Sequence, residues 1–104
     1  METKKSFDEI IRDSEVPILV DVYSDTCGPC IALKPQLEAL KDSMGENLRI
    51  IKINGPHNQR FMQQHRVEAF PTLMLFHQGK KVWTHLGYTA ARELERKIKQ
   101  SVPA

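Results

Sequence analysis

Apolar residues fall along this chain in short runs separated by polar stretches of helical spacing. Ile18-Leu19-Val20-Asp21-Val22-Tyr23 is β-branched and apolar on both alternating faces, which predicts a central strand covered on both sides. Leu48-Arg49-Ile50-Ile51-Lys52-Ile53 reads as a second buried strand, and Thr72-Leu73-Met74-Leu75-Phe76, just after Pro71, as a third. Gln78-Gly79-Lys80 is a tight turn, from which Lys81 to Leu86 returns antiparallel until Gly87 breaks the strand. Between these runs the period changes to that of a helix. Ser6-Phe7-Asp8-Glu9 is a capping-box pattern opening a short helix over about residues 7–13, with Phe7, Ile10 and Ile11 inward. A longer helix follows Cys27 and runs to about Met44, with Pro29 in its first turn and Gly45 as its stop. Pro56 and Asn58 offer a third helix start, with Phe61 and Met62 as its apolar contacts. Thr89 caps a last helix that carries Ala91, Leu94, Ile98 and Val102 on one face. The order α-β-α-β-α-β-β-α predicts a mixed sheet with helices on both faces.

Length and composition narrow the function classes. A chain of 104 residues fits one domain and can bury a core without disulfide staples. Hydrophobic residues at 40% and charged residues at 27% exclude a disordered chain. A net charge of +2 is too balanced for the electrostatic footprint of a nucleic-acid binder. No apolar run approaches a bilayer span, and Met1-Glu2-Thr3-Lys4-Lys5 has no apolar signal-peptide core. The expectation is a cytoplasmic protein, or a periplasmic or secreted one that has lost a leader. Monomer is the default expectation.

The two cysteines carry the candidate chemistry. They stand three apart, in Cys27-Gly28-Pro29-Cys30, and their number excludes a disulfide-rich scaffold. On the helix that follows, Cys30, Leu33, Leu37, Leu40 and Met44 share one face, so Cys30 should be buried at the top of that stripe. Cys27 precedes the helix and should be more exposed. A helix N-terminus offers unpaired N–H groups and partial positive charge, both of which favour a thiolate. Cys27 is therefore the natural attacker of a substrate disulfide, and Cys30 the sulfur that then attacks Cys27 and releases reduced substrate. Gly28-Pro29 holds the two sulfurs within bonding reach. A structural metal half-site would need further ligands, and His57, His65, His77 and His85 lack the usual short His–His interval. We read no metal site.

Asp21 lies mid-strand where both faces look buried, and burial raises a carboxyl pKa. Beneath Cys30 it would accept the proton as Cys30 becomes a nucleophile. Lys52 is similarly placed in the neighbouring run, where its charge would tune Asp21. A structural ion pair between the two is the alternative, and spacing does not separate these readings. Phe70-Pro71-Thr72 opens the third strand with a proline that is cis or trans; base rates alone favour trans. Phe70 is either core or contact surface. Trp83 and His85 sit on an edge strand, where packing of Trp83 under a helix is the simpler reading against a binding role.

Taken together, Ile18-Leu19-Val20-Asp21, Thr26-Cys27-Gly28-Pro29-Cys30, Pro35, Lys52-Ile53-Asn54, Phe70-Pro71-Thr72, Gly79 and Gly87 resemble the thioredoxin family, from about Ser6 to the C-terminus. The resemblance implies the α/β thioredoxin fold over 1–104, a central mixed β-sheet of four to five strands flanked by helices on both faces. It implies a protein-disulfide reductase whose redox group is the Cys27–Cys30 disulfide, with no other cofactor. In that family Cys27 would be the nucleophile, Cys30 the resolving cysteine, Asp21 the buried acid–base and Lys52 its partner. Pro71 would be cis and beside the disulfide, and Pro35 would kink the long helix. Thr26, Gly28, Pro29, Phe70, Pro71 and Gly87 would border a groove in which the substrate chain pairs like an added strand. Partners would be disulfide-containing substrate proteins and a thioredoxin-reductase-like electron donor.

The sequence departs from the family pattern in several places. Thr26 replaces the usual Trp, and Ile31 the common Lys or Arg after the second cysteine. Tyr23-Ser24-Asp25 thins an aromatic-rich stretch, and the family's N-terminal strand would have to come from the short, polar Met1 to Lys5. Two other functions remain open: an extracytoplasmic disulfide oxidase or isomerase, and a binding module with incidental redox activity.

Overall fold

The computed structural model describes residues 5–102. Ile18–Tyr23 forms strand β1, Arg49–Asn54 β2, Thr72–His77 β3 and Lys80–Leu86 β4. Helices α1 (Phe7–Asp13), α2 (Gly28–Met44), α3 (Gln59–Gln64) and α4 (Ala91–Ser101) alternate with them, and a single 3-10 turn, Gly45–Asn47, follows α2. The sheet order is β2-β1-β3-β4. β1 pairs in parallel with β2 and antiparallel with β3, and β3 pairs antiparallel with β4. The sheet is therefore mixed, as the element order predicts. The expected extra strand at Met1 to Lys5 lies, apart from Lys5, outside the described residues.

Each face of the sheet is covered by two helices, and strand alternation sorts the side chains between them. Leu19, Leu73 and Leu75 pack with Leu33, Leu37 and Leu40 of α2 and with Leu94 and Ile98 of α4. Ile18, Val20, Val22, Met74 and Phe76 pack on the other face with Ile11 of α1, Val67 and the partly buried Phe61 and Met62 of α3. Burying Leu33, Leu37 and Leu40 contributes about 1.5–3 kcal/mol each, which holds α2 on the sheet. Phe7 meets Phe61 edge-on at 4.9 Å and Phe76 at 5.3 Å, tying α1 to α3 and β3. Among the described residues no helix is long and apolar enough to cross a membrane.

The local signals act as the sequence suggests at most element ends. Ser6 caps α1 by accepting from the Glu9 N–H at 3.2 Å, while the Glu9 carboxylate reaches back to the Ser6 hydroxyl. Gly45 ends α2, donating its N–H to the Lys41 carbonyl. Pro35 lies inside α2 and leaves the Ile31 carbonyl without its helical donor. Gln78 and Gly79 both have positive φ, 54° and 80°, the backbone of a two-residue hairpin turn that matches strand twist.

Three expectations are corrected. β2 is not a buried strand: Arg49 and Lys52 are exposed and Ile50, Ile51 and Ile53 only partly buried, and among the described residues it has β1 as its one neighbour. Lys52 is accordingly not buried as Asp21 is. Thr89 does not cap α4. The N-cap position is Ala90, and the Ala91 N–H is instead taken by the Gln36 side-chain oxygen of α2 at 2.9 Å. A helix start needs acceptors, and here the neighbouring helix supplies one.

Candidate redox site at the start of helix α2

The first turn of α2 brings the cysteines together. Cys27 is the N-cap residue and Pro29 lies in the first turn. The chain reverses from β1 into α2 within four residues, so the helix begins beside the carboxyl end of the central strand. Cys27 and Cys30 are joined as a disulfide, with Cα atoms 5.2 Å apart. Cys30 is 5% exposed on the same stripe as Leu33, Leu37 and Leu40, whereas Cys27 is half-buried. Cys27 Sγ accepts the Cys30 N–H at 3.1 Å, so one orphan donor of the helix start is aimed at that sulfur.

The start of β3 forms the opposite wall. The Phe70–Pro71 peptide bond is cis. The Phe70 carbonyl oxygen lies 3.4 Å from Cys27 Sγ. Pro71 is buried, and its carbonyl accepts the Gly87 N–H at 2.9 Å, which brings the end of β4 beside the same strand start. Thr26, Gly28 and Pro29 are exposed on the other side. Thr26 is turned toward Ser24, whose hydroxyl lies 3.3 Å from Thr26 Oγ1 and accepts the Thr26 N–H. Of the six residues expected along a groove, Phe70 approaches Cys27 through its carbonyl, Gly87 is joined to Pro71, and Thr26, Gly28 and Pro29 adjoin the cysteines in sequence. Phe70 packs its ring against the α1–α3 core, one of the two readings weighed for it, and its carbonyl faces the sulfur.

Behind the disulfide a cleft of about 290 Å³ is lined by Asp21, Tyr23, Ser24, Asp25, Cys30, Ile31, Lys34 and Lys52. Asp21 is 4% exposed and its Oδ1 has no hydrogen-bond partner. Burial pushes its pKa up from 3.8 to about 6, and the Lys52 ammonium pulls it back in part. Asp21 and Lys52 face each other in the β1–β2 register, yet they are absent from the contact ion pairs formed among the described residues. The tight structural ion pair is therefore not what the structure shows. Lys34 lines the cleft although the sequence reading did not single it out. Its signal was present: it follows Cys30 by one helical turn. Trp83 packs beneath α4, donating to Ser101 Oγ at 3.0 Å with Lys97 over its ring.

A family model described as Thioredoxin matches residues 1–100. The chain belongs to the thioredoxin family. It is 32% identical over 101 residues to a chloroplastic thioredoxin Y of Oryza sativa subsp. japonica, covering 97% of this chain and 60% of that protein. It is 28% identical over 100 residues to a thioredoxin of Porphyra purpurea, covering 96% of this chain and 94% of the relative. The chain thus spans about three-fifths of the rice relative and nearly all of the algal one. Among solved structures, the oxidised form of mitochondrial thioredoxin 3 from Saccharomyces cerevisiae superposes with a TM-score of 0.81 at 26% identity, over 90% of this chain and 86% of that one. The thioredoxin fold accounts for the mixed sheet and its two helical layers.

Proposed function

We propose that this thioredoxin-family protein is a thiol–disulfide oxidoreductase that reduces protein disulfides. The observation that carries the reading is the asymmetry of the pair: Cys27 capping α2 and partly open, Cys30 buried beneath it and lining the Asp21 cleft. The Cys27 thiolate attacks one sulfur of the substrate disulfide. That S–S bond breaks, a Cys27–substrate disulfide forms, and the departing substrate thiolate takes a proton. Cys30 then gives its proton toward the Asp21 carboxylate and attacks Cys27 Sγ. The mixed disulfide breaks, the Cys27–Cys30 disulfide forms, and the second substrate sulfur leaves as a thiolate that takes up a proton as Asp21 gives up the one it received. The proton on the first departing sulfur replaces the one Cys27 lost to solvent on ionising. Substrate gains two electrons and two protons, and the protein loses them.

Thr26, Gly28, Pro29, Phe70, Pro71 and Gly87 border the substrate chain, and Lys52 tunes Asp21 through the cleft. No cofactor beyond the dithiol is needed. Electrons return from a thioredoxin-reductase-like donor, and one chain holds every group the cycle uses, so a monomer suffices. The reducing direction goes with a reducing compartment such as the cytoplasm.

Trapping tests the reading. Cys30→Ser should accumulate mixed disulfides with target proteins at Cys27, because the resolving sulfur is gone. Cys27→Ser should accumulate few. Equal trapping by both variants would overturn the assignment of attacker and resolver. The direction is tested by equilibrating the pair in thiol–disulfide buffers: a potential at or below the cytosolic glutathione poise supports a reductase, and a markedly higher one supports an oxidase or isomerase.

A further inference from the structure

Gly55 follows the last residue of β2 and is buried. Its N–H donates to the Tyr23 carbonyl at 2.8 Å, and its carbonyl accepts from the Asn58 N–H at 2.8 Å. Its backbone is not in the left-handed region, so conformation does not demand glycine there. Space does. A Cβ at Gly55 would stand 2.8 Å from Met62 Sδ and 2.8 Å from Phe70 Cζ, and would overlap Phe70 Cε1 more closely still. Met62 is a flexible chain that can yield. The Phe70 ring is partly buried against the α1–α3 core and borders an open pocket, so a Cβ at Gly55 would tilt it away from its seat. Phe70 also supplies the carbonyl oxygen 3.4 Å from Cys27 Sγ. One residue therefore joins the bare surface of Gly55 to the sulfur.

We propose that Gly55 is a positioning residue for Cys27: its missing side chain seats the Phe70 ring, and the seated ring holds the Phe70 carbonyl oxygen against Cys27 Sγ. In the reduced protein that oxygen accepts the thiol S–H and opposes the thiolate, since the negative end of the carbonyl dipole faces the sulfur. It acts against the Cys30 N–H and the start of α2, which favour the thiolate. Gly55 with Phe70 thus restrains how readily Cys27 ionises. The inference rests on Cys27 being the attacking sulfur.

The test is the pH profile of iodoacetamide alkylation of the reduced full chain, with the modified cysteine located by mass spectrometry. Four proteins are compared: the parent, Gly55→Ala, Phe70→Leu and the double variant. Both single variants should move the profile of Cys27 to lower pH, raising its alkylation rate below neutrality by about threefold or more. The double variant should match Phe70→Leu, because a Cβ at position 55 has no ring left to displace. The positioning role is overturned if Phe70→Leu keeps the parent profile. It is equally overturned if Gly55→Ala adds its full shift in the Phe70→Leu background. Should Gly55→Ala not fold, the profile of Phe70→Leu still decides. Labelling of Cys30 ahead of Cys27 in the parent would overturn the attacker assignment itself, a result distinct from an unshifted Cys27 profile.

Discussion

Asp21 is the residue whose environment and chemistry pull hardest against each other. It is buried, one of its oxygens lacks a partner, and Lys52 is too exposed to neutralise it at contact distance. Its carboxyl pKa is about 6 in the folded chain against 3.8 as reference. Between those values the folded state binds more protons than the unfolded one, so this group lowers stability as pH rises through that window. The cost is present in full above the folded value and absent below the reference value. Asp21→Asn should therefore stabilise the protein by roughly 2–3 kcal/mol near neutral pH and by little near pH 4. Urea denaturation at the two pH values checks this, and an equal gain at both would assign the effect to packing. The same substitution should prolong the mixed disulfide more than it slows its formation, since only resolution needs an acceptor for the Cys30 proton. Phe70 shows the other residue-scale lesson. Side chain and carbonyl of one residue serve two neighbours, and a sequence reading has to choose between them.

At the scale of elements, α2 organises the site. Its N-cap is the outer sulfur, its first buried residue is the inner sulfur, and its leucine stripe fixes both against the sheet. It also starts α4. The Gln36 side chain takes the Ala91 N–H, the role the sequence suggests for Thr89. Gln36→Ala should cost about 1–2 kcal/mol, by leaving a helix-start donor without its acceptor, while Thr89→Ala should be near neutral. Denaturant unfolding of both variants checks the contrast, and a larger loss for Thr89→Ala would contradict it. Most element positions were legible because their periods are clear: the α2 stripe, the two apolar strands β1 and β3, and the Gln78-Gly79 turn. The cap of α4 was not, because its acceptor is 55 residues away in sequence and no local pattern encodes it.

Across the whole molecule, β1 and β3 are the spine. They are flanked on both sides by other strands and on both faces by helices, and their apolar side chains are almost wholly buried. Among the described residues β2 and β4 each have one open edge. Hydrogen exchange should be slowest at the amides of β1 and β3 and faster along β4; slowest exchange in β4 would contradict this order. The placement of β2 also separates what the chain encodes locally from what assembly decides. Leu48 to Ile53 carries apolar residues on both alternating faces, and alternation alone cannot say how many neighbours a strand has. Local pattern and chemistry determined the alternating elements, the buried and open members of the cysteine pair, and a carboxylate set within an apolar strand. These follow from side-chain period, turn residues and the electrostatics of a helix start, all of which act over a few residues. Only the tertiary structure decided the strand order, the exposure of Lys52, the Gln36 cap, the cleft that Lys34 and Asp21 share, and the seat of Phe70 on Gly55. Each of these depends on which distant segments meet, and that is settled by packing the two faces of the sheet rather than by any one run of residues.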